Sequence, residues 1–134
     1  MKTQTCNVVD EITNYVAGEH DIRLAILFGS LANGQHRRDS DLDIAVLADR
    51  PLSAERRIDL IENLARVSGR AVDLVDLATA GIAVARSAVL GGRLLFCRDD
   101  AVYPAQITRV LLDCADFLPY RDRLLRERRE QWIQ

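Results

Sequence analysis

The sequence predicts an α/β domain: a nucleus of about four short strands in a small mixed sheet, flanked by helices and followed by a C-terminal helical tail. Short apolar runs ended by glycine, serine or proline alternate along the chain with longer segments of helical period. A length of 134 residues suits one compact domain, and 49% hydrophobic with 28% charged residues is the mix of a globular protein. Together these exclude a disordered chain, a collagen-like repeat and a disulfide scaffold. No apolar run approaches the roughly 18–20 residues of a membrane span, and the N-terminus has no apolar signal segment. The expectation is a cytoplasmic protein without a membrane partner.

The first helix is expected over Asn7–Val16, with Asn7 as N-cap, Asp10 and Glu11 near its positive end, and Gly18 ending it. Arg23–Phe28 reads as a buried strand stopped by Gly29-Ser30. A helical turn at Leu31–Asn33 and a polar loop over Gln35–Ser40 lead to a second strand, Asp41–Leu47. Ser53 caps a helix whose apolar face runs through Leu60, Ile61 and Leu64 to the stop at Ser68-Gly69. Ala71–Leu77 is a third strand, Thr79–Leu90 a helix ended by Gly91-Gly92, and Arg93–Cys97 a fourth strand. From Tyr103 to Gln134 the pattern is helical, with a break at Pro119. The organisation is one domain, with a core over about 7–100 and a tail over about 103–134.

Charge and cysteine usage narrow the function. The net charge is −2, and of 18 basic residues only Lys2 is a lysine. There is no broad electrostatic pull toward nucleic acid, and no direct nucleic-acid binding is expected. Cys6, Cys97 and Cys114 form no C-x-x-C pair and read as small buried hydrophobes. In the tail, Arg121, Arg123, Arg126, Arg128 and Arg129 interleave with Asp122, Glu127 and Glu130, the pattern of a solvated helix. Val110, Leu111, Cys114, Phe117 and Leu118 form an apolar stripe expected to be mostly core, and Trp132 is a candidate interface anchor.

Three segments carry candidate chemistry. Gly29-Ser30 follows a strand directly, where a glycine admits a ligand close to the backbone and Ser30 adds a hydroxyl. Asp41-x-Asp43 opens the next strand, and residues i and i+2 project from one face, so the carboxylates lie side by side. Leu42, Ile44 and Val46 then point to the other face. Asp73 interrupts an apolar strand on the face of Val75 and Leu77, whereas Asp76, on the opposite face, is expected to cap the next helix. If the strands are neighbours, the acids meet beside the Gly-Ser turn. Clustered carboxylates without His or Cys suit Mg²⁺ or Mn²⁺, and the set reads as a metal-dependent phosphoryl or nucleotidyl transfer site.

Gly29-Ser30, ten intervening residues, Asp41-x-Asp43 and a later hydrophobic-Asp73-hydrophobic strand resemble the DNA polymerase β-type nucleotidyltransferase superfamily. The short length is similar to its minimal members, the MntA-like, minimal-nucleotidyltransferase (MNT) antitoxins encoded beside HEPN-domain ribonuclease toxins. The resemblance covers about Ile22–Leu95. It implies that Asp41 and Asp43 bind two Mg²⁺ ions. It also implies that Asp73 shares one of them and helps deprotonate the attacking hydroxyl, and that Gly29 and Ser30 hold the β- and γ-phosphates of ATP. It further implies transfer of AMP to a tyrosine of a HEPN toxin, with loss of pyrophosphate. Ser40 matches the family's S-D-x-D form. Relatives often carry A-R-G after the Gly-Ser pair; Ala32-Asn33-Gly34 stands here, so a cation is missing, for which Arg37 or Arg38 is a substitute. A silent antitoxin acting by binding alone and a small-molecule nucleotidyltransferase remain the alternatives.

Overall fold

The computed structural model describes residues 2–29 and 41–115, together with Arg126. Its elements are α1 (Lys2–Ala17), β1 (Ile22–Phe28), β2 (Leu42–Ala48), α2 (Ala54–Ser68), β3 (Val72–Asp76), α3 (Ile82–Gly91) and β4 (Arg93–Cys97). A further helix, α4, covers 102–115. The expected Leu31–Asn33 turn, the Gln35–Ser40 loop, Phe117, Leu118, the break at Pro119, Trp132 and the tail charges other than Arg126 lie outside the described residues.

The strands form one sheet in the order β3-β2-β1-β4. β1 runs antiparallel to both β2 and β4, whereas β2 and β3 are parallel and joined through α2. The sheet is therefore mixed, as expected. Central β1 is apolar at nearly every position because both its faces are covered: Ile22, Ala25 and Leu27 pack on one side, Leu24 and Ile26 on the other. The first face, with Leu42, Ile44, Val46 and Leu74, is covered by Val9, Ile12 and Val16 of α1 and Leu60 and Leu64 of α2. The second, with Ala45 and Leu77, is covered by Ala88 and Val89 of α3 and Val102, Val110 and Cys114 of α4. Each large aliphatic side chain so buried contributes about 1.5–3 kcal/mol.

Helix boundaries show where local signals were overridden. α2 starts as predicted, with the Ser53 hydroxyl accepting from the Arg56 amide at 3.1 Å, and it stops at Gly69 in the left-handed conformation. α1 instead begins at Lys2. Asn7 is thus interior and no cap, since no glycine or proline interrupts Lys2–Cys6. α3 begins at Ile82, not Thr79, behind Gly81, which makes no side-chain cap bond.

Asp76 accounts for that later start. It is 3% exposed, and its carboxylate accepts from the Ala78 amide at 3.0 Å and the Leu52 amide at 2.9 Å. It closes the turn after β3 and ties in the segment before α2, rather than capping α3. In the expected apolar stripe of α4, Val110 and Cys114 are buried but Leu111 is 52% exposed. Cys97 is half-buried and Cys114 buried, both as free thiols. Among the described residues no helix is long and apolar enough to cross a membrane.

Candidate active site

The sheet topology gathers chemistry at one end. β1 finishes there with Phe28 and turns at Gly29, while β2 and β3, running the opposite way, both begin there. Phe28 is the register partner of Asp43 on one side, and Asp73 is its partner on the other. Alternation puts Asp43 on the face of Ala45 and Leu47, and Asp73 on that of Val75 and Leu77, which is the same face. The two carboxyls thus stand side by side on adjacent strands, as the sequence predicted.

Their closeness is visible in protonation. Burial, first, and then the charges of Asp73 and Asp41 push the Asp43 carboxyl above the ordinary carboxylate range, with a hydrogen bond between the Asp43 and Asp73 carboxyls acting in the same direction. Asp41 precedes β2 and is exposed, near enough to act on Asp43 through its charge. Asp73 is also exposed, so an acid inside an apolar strand escapes the burial cost by standing at the open end of the sheet. The buried acid of that strand is Asp76. Among the described residues no group of three or more His, Cys, Asp or Glu forms a ready-made metal cage. The pair Asp43–Asp73 is assembled, with Asp41 beside it.

Gly29 completes the described part. Its φ of +75° belongs to the left-handed region, and a Cβ at this position would overlap the Asp43 carboxylate. The carboxylate therefore lies directly against the glycine backbone, which explains why this turn takes no side chain. Ser30, Ser40, Arg37 and Arg38, and with them Asn33, lie outside the described residues. Sequence reasoning missed Phe28, whose half-buried ring is packed against the second core on the strand beside Asp43. It read simply as the last apolar residue of a strand.

An acid pair beside a glycine turn at the open end of a mixed sheet is the kind of site that serves metal-assisted phosphoryl chemistry. Residues 10–101 match the family Polymerase beta, Nucleotidyltransferase, and the chain belongs to it. It is 40% identical over 75 residues to the protein adenylyltransferase MntA of Shewanella oneidensis strain MR-1, a stretch covering 56% of this chain and 54% of that one. The match thus spans about half the length of this curated relative.

Among solved structures, it is similar to a chain of a toxin–antitoxin complex with AMP-PNP, with a TM-score of 0.76 and 26% identity over 90% of this chain and 95% of the other. It is also similar to a chain of the complex of tri-AMPylated HEPN toxin with MNT antitoxin from Shewanella oneidensis. There the TM-score is 0.61 and the identity 25%, over 92% of this chain and 98% of the other.

Proposed function

We propose that this chain is the antitoxin of a HEPN/MNT toxin–antitoxin pair and acts as a Mg²⁺-dependent protein adenylyltransferase. It would move AMP from ATP to a tyrosine of its HEPN ribonuclease toxin, release pyrophosphate and so inactivate the toxin. The observation that carries this reading is the in-register pair Asp43–Asp73 set against Gly29. The similarity to a complex holding AMP-PNP and to one holding a tri-AMPylated toxin supports it.

The donor set fits a hard divalent cation. Its described members offer carboxylate oxygens, and a positive ion offsets both the burial and the repulsion from Asp73 and Asp41 that raise the Asp43 carboxyl. An open arrangement, rather than a closed cage, suits Mg²⁺, which keeps water and substrate phosphates among its ligands. Asp41 and Asp43 would hold two ions, Asp73 sharing one. When bound, they neutralise charge on the α-phosphate and align nucleophile and leaving group.

The chain's own residues do the rest. Gly29, bare of side chain, lets its backbone approach the β- and γ-phosphates, with Ser30 beside it. Asp73, on the exposed side of the pair, accepts the proton of the tyrosine hydroxyl as its oxygen bonds to the α-phosphorus. The bond from that phosphorus to the bridging oxygen breaks, and pyrophosphate leaves with the electron pair. Ser40 and Arg38 are the further nucleotide contacts of this reading.

The test is the intact mass of the HEPN partner after incubation with this protein, ATP and Mg²⁺. A gain of about 329 Da, or a multiple of it, that is lost with Asp41→Asn/Asp43→Asn is the expected result. An unchanged mass in a stable complex would establish a silent binding antitoxin instead.

A further inference from the structure

We propose that Arg57 is a positioning residue for Asp73, acting through the outer edge of β3. The proposal rests on the reading of Asp41, Asp43 and Asp73 as the metal site.

Among the described residues β3 is an edge strand, bonded within the sheet only to β2. Its ladder begins with the Leu42 amide on the Ala71 carbonyl at 2.8 Å and ends with the Leu77 amide on the Val46 carbonyl at 2.9 Å. In a parallel ladder only alternate residues bond to the neighbour. With Asp43 opposite Asp73, the bonding residues of this segment are 71, 73, 75 and 77. The Leu74 carbonyl therefore points away from β2, off the sheet. Arg57, in the first turns of α2, donates to that carbonyl from Nη1 at 3.0 Å. The peptide following Leu74, one residue beyond Asp73, is thus held on its outer side by a helix packed on the core. Farther along the strand, the Asp76 carboxylate receives the Leu52 amide from the segment leading into the same helix.

The inner side of β3 needs such a restraint. Asp43 and Asp73 are like charges directly opposite one another, an arrangement that weakens strand pairing, and the strand is five residues long. Carboxylates that share an ion must keep their separation to within about 0.5 Å. Arg57 fixes the edge strand against α2, so that Asp73 keeps its place across from Asp43 before any cation arrives.

The test uses the full-length chain with AMP-PNP, titrated with Mn²⁺ while the free ion is read by electron paramagnetic resonance. Arg57→Ala should raise half-saturating Mn²⁺ by about tenfold, the size seen when outer-shell partners of a metal site are lost. Arg57→Lys, which keeps one donor for the carbonyl, should stay within about threefold of wild type. Ser53→Ala removes the cap of the same helix and should lower the melting temperature without moving the titration. Equal Mn²⁺ uptake by Arg57→Ala and wild type overturns the positioning role, as does a Ser53→Ala shift of the same size. If Arg57→Ala does not fold, Arg57→Gln is titrated beside Arg57→Lys, and an Arg57→Gln titration matching wild type is equally fatal. A wild-type chain that takes up no Mn²⁺ overturns the metal reading itself, and the proposal with it.

Discussion

At Gly29 one added methyl group would strike the acid pair directly. Its φ of +75° costs an L-residue about 1–2 kcal/mol, and the added carbon would displace the Asp43 carboxylate. Gly29→Ala should therefore retain its circular dichroism spectrum, melt a few degrees lower, and transfer AMP about a hundredfold more slowly in a timed mass assay. A variant within threefold of wild type would show that Asp43 can move without consequence. Asp43 itself gives a pH prediction. Its carboxyl is raised above the ordinary 3.8, so the folded state binds the proton more tightly than the unfolded chain. That contribution is fully present below 3.8 and is lost as the pH climbs through the raised value. Without metal, wild type should lose melting temperature across that window, whereas Asp43→Asn should show no such step. At this scale alternation placed Asp43 and Asp73 on the face they share with Ala45 and Val75, whereas Asp41 stands before β2, where alternation does not decide. The sequence did not reveal that Asp76, not Asp73, is the buried acid, because exposure depends on which end of a strand stays open.

The elements hold this site through α2, whose start is fixed by a small ion cluster. Arg56 donates to both Asp21 oxygens at 2.7 and 2.9 Å, to Asp59 at 2.6 Å and to Glu19 at 3.2 Å. The hydrogen bonds from Arg56 hold the Asp21 carboxyl below its ordinary 3.8, and Asp21 in turn raises the Arg56 pKa further. Asp21 is 39% exposed at its side chain, so solvent screening limits the whole arrangement to about 1 kcal/mol. Arg56→Met should cost about that much in urea denaturation at pH 7, and less in high salt. The sign with pH is opposite to that of Asp43: the Asp21 contribution is present above 3.8 and disappears as the pH falls through its lowered value. An Arg56→Met profile parallel to wild type through that acid range would remove Asp21 from the account. Strands and α2 were legible because their apolar period and their stops agree. The first turns of α1 and α3 were not: a polar residue that looked like a cap, Asn7 or Asp76, was respectively inside the helix or bonded to a distant amide.

Across the whole molecule, both acid-bearing strands start at the end of the sheet where β1 stops, so the like charges of the pair meet in one place while the core is closed on both faces. No part of this convergence is local. It arises from β2 and β3 being parallel and β1 antiparallel to β2, which a single sequence implies only through the alternation of elements. A domain of this build is held by its packed core but carries a standing electrostatic cost at its open end, and a ligand bringing positive charge there should stabilise the fold beyond its contacts. Mn²⁺ with AMP-PNP at about a hundred times its dissociation constant should add about 2.7 kcal/mol, a rise of several degrees in melting temperature. Asp41→Asn/Asp43→Asn should start from a higher melting temperature without metal, because the repulsion is gone, and gain almost nothing on addition. Scanning calorimetry of the two proteins, with and without the ligands, measures all four states. If the variant gains as much as wild type, the ions sit elsewhere and the acids are not the metal site. If wild type gains nothing, the acids do not take up the ion with the nucleotide and the proposed transfer falls.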